Sequence, residues 1–308
     1  MPTFNQLADE VTRKLSGFTL RQDRQTHLTA DITASTGTIN IADATNISAG
    51  IIQIDDELIY IDSFDRDTGN LTVGGYVDAT STNLYGRGYN GTTASAHKKG
   101  TKVIISPTYT AVDVKAAINE TIHAVYPELY ASDQYSFKYR PARLTYELPA
   151  ELKKIIMISY ESIGPSKQWI PIRSYRLDTA ADRTAYPSGK TVSLYSGIVP
   201  GRTINVHYSH IPTTLENGSD DFEYTTGLSA SSKDVIVLGA AARLAAFIDP
   251  GRLTFGSAEA DQQSQIAGRA YGAGTNASKY LYALYQQRLQ EEAQRYQDEN
   301  NIRIHYSL

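Results

Sequence analysis

The chain of 308 residues contains no cysteine, so disulfide bonds and thiolate metal sites are excluded. It also lacks any apolar run near the ~18 residues that a membrane-spanning helix needs, so no membrane partner is expected. The first residues, Met1 to Gln6, lack the basic and apolar regions of a signal peptide, which predicts a soluble intracellular protein, at least at synthesis. The net charge of −4 gives no indication of a protein that binds nucleic acid by counterion release.

Catalytic and cofactor-binding motifs are missing as well. No HExxH, GxSxG or Walker sequence occurs. Gly86-x-Gly88-x-x-Gly91 has the spacing of a dinucleotide site, but polar residues follow where that site needs an apolar helix. Asp65-x-Asp67-x-Gly69 resembles the start of a calcium loop, but Tyr76 occupies its twelfth position, so a hairpin turn is favoured. We therefore predict no enzyme, no cofactor and no metal site.

Tyrosine is abundant, with 22 residues against 7 phenylalanines. Its ring is apolar and its tip is polar, which suits surfaces that become buried in a complex. Tyrosine is also common on ordinary β-strands. The composition therefore leaves both interpretations open.

Apolar residues recur with helical spacing in four segments, roughly 4–16, 111–126, 232–248 and 275–298. The blocks 26–106 and 137–211 instead contain short alternating runs separated by turn residues, as β-strands do. No single helix can bury its apolar stripe alone. The sequence therefore predicts an α+β fold, in which a small four-helix hub carries two inserted antiparallel β-modules, a small β-barrel and a β-sandwich.

This interpretation divides the chain into four predicted parts. The helical hub comprises 1–25, 107–136 and 212–300. The β-barrel insertion is 26–106 and the β-sandwich insertion is 137–211. Residues 301–308 form an extended C-terminal arm in which apolar and polar side chains alternate, so we expect it to add to a partner's sheet or groove. The arm residues predicted to bind a partner are Ile302, Arg303, Ile304, His305, Tyr306 and Leu308.

Two stretches of the first block resemble a small β-module that recurs in virion proteins of tailed phages. Residues 50–61, GIIQIDDELIYI, are similar to its strand with the sequence I-D-D-E. Residues 85–101, YGRGYNGTTASAHKKGT, are similar to its loop with the pattern R-G-x-x-G-T-x-A-x-x-H-x-x-G-T. The second half resembles the head-to-tail adaptor proteins of siphophages. The stretches that carry this resemblance are 148–155, 200–208, 234–244 and 285–289.

The resemblance implies a structural adaptor that forms a twelve-fold ring at the phage neck. Its partners would be the portal protein, a downstream neck or tail-completion protein and further copies of itself. Packaged DNA would pass through the ring without sequence-specific binding. The location would be the virion, after synthesis in the cytoplasm of the bacterial host.

Two further expectations follow from the adaptor resemblance. Such adaptors commonly extend a C-terminal segment into the portal, which makes the portal the expected partner of residues 301–308. The charged end of the last helix is the expected contact between neighbouring subunits. The residues concerned are Arg288, Glu291, Glu292 and Arg295.

Two other classes of protein remain as alternatives. The β-modules and the tyrosines would suit a receptor- or glycan-binding tail protein, although fibre proteins usually lack a four-helix hub. A virion-associated hydrolase is disfavoured by the missing catalytic motifs. It is not excluded, because glycosidase carboxylates can lie far apart in sequence.

Overall fold

The computed structural model describes residues 2–17, 23–45, 47–77, 82–163, 168–246 and 273–299. These residues contain five α-helices. They are α1 (Phe4–Ser16), α2 (Ala111–Ala124), α3 (Phe222–Thr226), α4 (Lys233–Ala245) and α5 (Ala273–Glu299). All but α3 lie where the apolar spacing predicts a helix. The short α3 begins at an Asp221 cap, whose side chain accepts from the Tyr224 amide, and ends at Gly227 in the left-handed conformation.

The first β-block contains eight strands. They are β1 (Arg24–His27), β2 (Thr38–Asn40), β3 (Gly50–Ile54), β4 (Glu57–Asp65), β5 (Asn70–Val73), β6 (Tyr76–Val77), β7 (Thr82–Asn83) and β8 (Lys102–Ile105). Six of them form an antiparallel sheet in the order β1-β8-β3-β4-β5-β2, and β6 pairs with β7. Aliphatic side chains such as Ile39, Ile52 and Ile59 fill the core of this block.

The six-stranded sheet is a half-barrel rather than the closed barrel that the sequence predicts. Beyond the C-terminal ends of the edge strands β1 and β2, Leu28 and Ile41 form an isolated antiparallel bridge. There the Thr29 amide donates to the Asn40 carbonyl and the Ala42 amide donates to the His27 carbonyl, each over 2.9 Å. The β4–β5 turn is the hairpin turn that the sequence predicts. The Asp65 carboxylate accepts from the Asp67 amide and the Thr68 hydroxyl, and Gly69 has a positive φ of 72°.

The second β-block contains seven strands. They are β9 (Ala131–Lys138), β10 (Thr145–Glu147), β11 (Lys154–Glu161), β12 (Trp169–Pro171), β13 (Tyr175–Asp178), β14 (Thr191–Leu194) and β15 (Thr203–His210). They form a four-stranded sheet, β12-β11-β15-β9, and a three-stranded sheet, β10-β14-β13. Buried side chains from both sheets, among them Ile158, Val192 and Tyr208, belong to one core.

The chain divides into two compact units, and neither of them is a helical hub. The first unit consists of Asn5–Ile118 and Val237–Tyr282, and the second of Met1–Phe4, Asn119–Ile236 and Ala283–Leu308. The boundaries fall inside α1, α2, α4 and α5, so four helices are divided between units that each contain a β-block.

The predicted α+β fold with a four-helix hub and inserted modules is therefore wrong. The fold consists mostly of antiparallel sheets with five helices among the described residues. The extensive backbone contacts in that part of the chain involve strands, and no two helices contact each other comparably. An apolar stripe can be covered by a sheet as well as by other helices, so the stripes alone did not determine the architecture. The predicted domain boundaries stay a prediction.

Candidate functional site

The first unit holds a cluster of charged side chains, three of them buried and one exposed, where the β3–β4 turn meets the loop after β7. Its members are Asp55, Glu57, Arg87 and His97, and we call them the Glu57 cluster. Glu57 is the first residue of β4, and its side chain is fully buried. Burying a carboxylate is costly unless it is paired and hydrogen-bonded. The surroundings of Glu57 should therefore supply donors to both of its oxygens.

Five donors converge on the Glu57 carboxylate. The Arg87 Nε donates to Oε1 over 2.7 Å and Nη2 donates to Oε2 over 3.0 Å, which is a bidentate ion pair. The amide of Gly88 donates to Oε1 over 3.1 Å, and that of Ser95 donates to Oε2 over 3.0 Å. His97 Nε2 lies 2.9 Å from Oε2. The carboxylate thus connects β4 to both ends of the loop 87–97.

The Arg87 guanidinium uses all five of its N–H donors. Besides the two bonds to Glu57, Nη1 donates to the carbonyls of Thr33 and Thr36 over 2.5 and 3.1 Å. The second Nη2 proton goes to the Ser95 carbonyl over 2.7 Å. Arginine has five donors in a fixed planar fork, so this set of acceptors is complete. A lysine could not satisfy the same carbonyls and carboxylate together.

His97 lies between two carboxylates. Its Nδ1 is 2.9 Å from Asp55 Oδ2, opposite the contact of Nε2 with Glu57. The protonated ring donates from both nitrogens, which suits this arrangement. Asp55 occupies the turn with a positive φ of 50°, a conformation that costs a non-glycine residue about 1 kcal/mol. Its bond to His97 helps to hold the turn in that conformation.

The pKa shifts of Glu57 and His97 both favour the charged form of the side chain. Burial opposes the ionisation of Glu57, but hydrogen bonds from His97, Arg87 and two backbone amides outweigh it and lower its pKa from 4.5 to about 2. The hydrogen bond to Glu57 raises the pKa of His97 against the effect of burial, and Asp55 adds to the increase. The Glu57 carboxylate and the His97 ring therefore favour each other's charged form.

Glycines fix the backbone of the loop beside the cluster. A Cβ on Gly86 would lie 2.5 Å from the Tyr60 carbonyl oxygen, and Gly88 has a positive φ of 59°. A 3₁₀ turn over Tyr89–Gly91 follows, not the helix that a dinucleotide site needs. The Gly86-x-Gly88-x-x-Gly91 spacing is therefore explained by close approach of the protein's own backbone at Gly86 and Gly88 and by a positive φ of 80° at Gly91.

The Glu57 cluster stabilises the loop 87–97 against β4 and is poorly suited to catalysis. Glu57 and Arg87 have their hydrogen-bonding groups occupied, and both side chains are almost inaccessible to solvent. A general acid or base must reach a substrate proton directly or through one water. No group of three or more His, Cys, Asp or Glu side chains in the described part of the chain could hold a metal ion. Within the same residues, no helix is both long and apolar enough to cross a membrane.

Sequence reasoning did not identify the cluster as a site. A signal was present, because the charged Glu57 directly precedes the apolar run of β4, and Arg87 and His97 are fixed positions of the loop pattern in the resembled β-module. A charged residue at a buried strand position needs an opposite charge, so these residues could have been paired with one another.

The predicted intersubunit residues lie on α5, where the structure brings them together. Arg288 pairs with Glu291 over 2.8 Å and with Glu292 over 3.2 Å, and Arg295 pairs with Glu292 over 3.1 Å. Glu292 is buried and also accepts from the Ser231 hydroxyl over 2.9 Å. These charges thus have partners within the chain, and their role between subunits stays a prediction. The predicted arm, 301–308, lies outside the described residues.

Comparison with known proteins gives no family assignment. No protein-family model matches the chain, and no curated protein is significantly similar to it.

Proposed function

We propose that this protein is a structural head-to-tail adaptor of a tailed phage, not an enzyme. Copies of the chain form a ring between the portal and the tail, and the ring lines the channel through which DNA leaves the capsid. The partners are the portal protein, a downstream neck or tail-completion protein and neighbouring copies. The site of action is the neck of the virion.

The Glu57 cluster is the observation that carries this proposal. Its residues Asp55, Glu57, Arg87 and His97 occupy the positions that make the first block resemble a virion β-module. Each of them has a structural partner within the cluster. The resemblance therefore rests on residues that depend on one another in the folded protein, which supports a module of the same kind.

A channel-forming ring has to withstand pressure from packaged DNA, so its subunits need rigid loops. The bidentate Arg87–Glu57 pair and the two amides that bind the same carboxylate hold the loop 87–97 at several points. Removing one partner of such a buried pair costs about 3–5 kcal/mol of unfolding free energy. A loop that is held by interactions of this strength should open rarely. This rigidity supports a structural role.

Native mass spectrometry with the portal tests the proposal. The chain is co-expressed with the portal protein of the same phage, and the complex is isolated through a tag on the portal. We expect a complex with twelve copies of each protein. The matched control is the chain without 301–308, which should bind the portal more weakly. A portal that is recovered without this chain contradicts the proposal.

The exposed tyrosines support a second candidate, a receptor- or glycan-binding tail protein. Tyr85, Tyr195, Tyr224 and Tyr282 are all more than half exposed. Tyrosine rings on a surface can stack on sugars as well as on protein partners. A glycan array separates the two functions, because a tail protein should bind particular glycans while an adaptor should bind none.

A further inference from the structure

One edge of the second β-block exposes apolar side chains. β12 is the outermost strand of the four-stranded sheet and β13 is outermost in the three-stranded sheet, so Trp169–Asp178 follows the free edge of both. We call this stretch the edge segment. Trp169 is 47% exposed and Ile170 is 39% exposed. Met157, on the adjacent strand β11, is 43% exposed. Tryptophan and methionine are enriched where protein surfaces become buried in complexes.

The edge segment also carries positive charge. Arg173 and Arg176 are exposed on it, and neither forms an ion pair with another residue that the structure describes. The whole stretch from β9 to β15, Ala131–His210, contains eleven lysines and arginines against six aspartates and glutamates. A partner of the edge segment should therefore be acidic.

The first β-block has the opposite charge balance. From β1 to β8, Arg24–Ile105 contains nine acidic and six basic residues. Five of its exposed aspartates are held by partners within the chain, namely Asp31, Asp43, Asp55, Asp56 and Asp65. Asp62 on β4 and Asp67 in the β4–β5 turn are exposed, and their carboxylates bind no other described residue. The β4–β5 hairpin thus presents two carboxylates that are free to pair with a partner.

We infer that the edge segment of one copy binds the β4–β5 hairpin of a second copy, with Arg173 and Arg176 facing Asp62 and Asp67. Trp169 and Ile170 form the apolar part of this contact. The inference rests on the proposed ring and identifies a surface through which neighbouring subunits would join.

The charges favour the contact between edge segment and hairpin over a two-fold contact between edge segments. If the edge segments of two copies faced each other, Arg173 and Arg176 would oppose the same residues of the other copy. Like charges placed together across an interface cost several kcal/mol. A contact between two different surfaces avoids that cost, and contacts of this type form rings when the rotation closes.

The chain contains a single tryptophan, so Trp169 reports on the proposed interface directly. Sedimentation velocity and fluorescence are measured on the full chain over a concentration series at low ionic strength. We expect association with a blue shift of the tryptophan emission, because the indole leaves water. Added salt should weaken the association, because it screens exposed charges.

Charge reversal provides the decisive comparison. One variant carries Arg173→Glu with Arg176→Glu, and the other carries Asp62→Arg with Asp67→Arg. Each alone brings like charges together and should associate at least about a hundredfold more weakly. An equimolar mixture should assemble again, because every contact between the two variants joins opposite charges.

The control variant is Lys153→Glu with Lys154→Glu, which changes the net charge by the same amount as the arginine reversal, on exposed lysines outside the edge segment. It should associate like the wild type. All the substituted side chains are exposed, so the variants should fold, and circular dichroism checks that they do.

Three results would overturn the inference. The reversed variants could associate like the wild type, the emission of Trp169 could stay unshifted on association, or the wild type could remain monomeric at low ionic strength. The portal experiment is independent of all three. A portal complex with twelve copies that survives charge reversal would leave the proposed function intact and reject only this surface.

Discussion

Replacing Glu57 with glutamine should weaken the first unit strongly. The substitution keeps the shape of the side chain but removes its charge, and it turns one acceptor oxygen into a donor. The buried side chains of Arg87 and His97 then lose their shared counter-ion, while five donors compete for fewer lone pairs. Breaking a buried ion pair by removing one partner costs about 3–5 kcal/mol of unfolding free energy. We expect Glu57→Gln to lose an amount in this range.

The neighbouring residue in the same turn provides the control. Asp56 pairs with Lys115 over 2.7 Å, but its side chain is 56% exposed. Exposed ion pairs contribute about 0–1 kcal/mol, so Asp56→Asn should change stability little. Urea unfolding followed by circular dichroism measures both variants. A shift of the midpoint with an unchanged slope identifies a change in stability rather than in the surface exposed on unfolding.

Hydrogen exchange locates the effect. The amides of Gly88 and Ser95 donate to Glu57, so they should exchange much faster in Glu57→Gln and remain protected in Asp56→Asn. A cost below about 1 kcal/mol together with unchanged protection of these two amides would refute our account of the cluster.

Other predictions concern pH, packing and the C-terminus. The hydrogen bonds that lower the pKa of Glu57 stabilise the fold fully above about pH 4.5, and this stabilisation is lost as the pH falls towards about 2. The hydrogen bonds that raise the pKa of His97 stabilise the fold fully below about pH 6.5, and this stabilisation is lost at higher pH. The melting temperature should therefore be highest between these two limits. Gly86→Ala should lower the unfolding free energy measured in urea by about 1–3 kcal/mol, because the new Cβ would clash with backbone atoms. Gly197→Ala is the control, because its Cβ would meet no atom within 4 Å. Deleting 301–308 should leave circular dichroism unchanged and weaken portal binding measured by interferometry, because its apolar face would no longer leave water on docking.

The sequence predicts most of the helices because their apolar residues follow one face. The prediction of α1 over 4–16 is confirmed, and α2 and α4 end within three residues of the expected positions. Strand β9 was missed because it is an edge strand with few buried side chains, so its sequence ASDQYSFK shows little apolar alternation. The spacing of apolar residues predicts a helix or strand only where one face of that element is buried and the other is exposed.

The architecture and the Glu57 cluster depend on contacts between distant residues. An apolar stripe indicates that one face of a helix is buried, but it does not indicate whether another helix or a sheet packs against that face. The partners of Glu57 lie 30 and 40 residues away along the chain. Their pairing is set by the register of β3 and β4 and by the loop after β7, which no local pattern in the sequence determines.

Electron microscopy of the chain bound to the portal tests the central claim most directly. The adaptor account predicts a ring with twelve-fold symmetry around the channel, attached to the face of the portal that points towards the tail. A chain that binds no portal and appears instead as a trimer at the far end of the tail would contradict it.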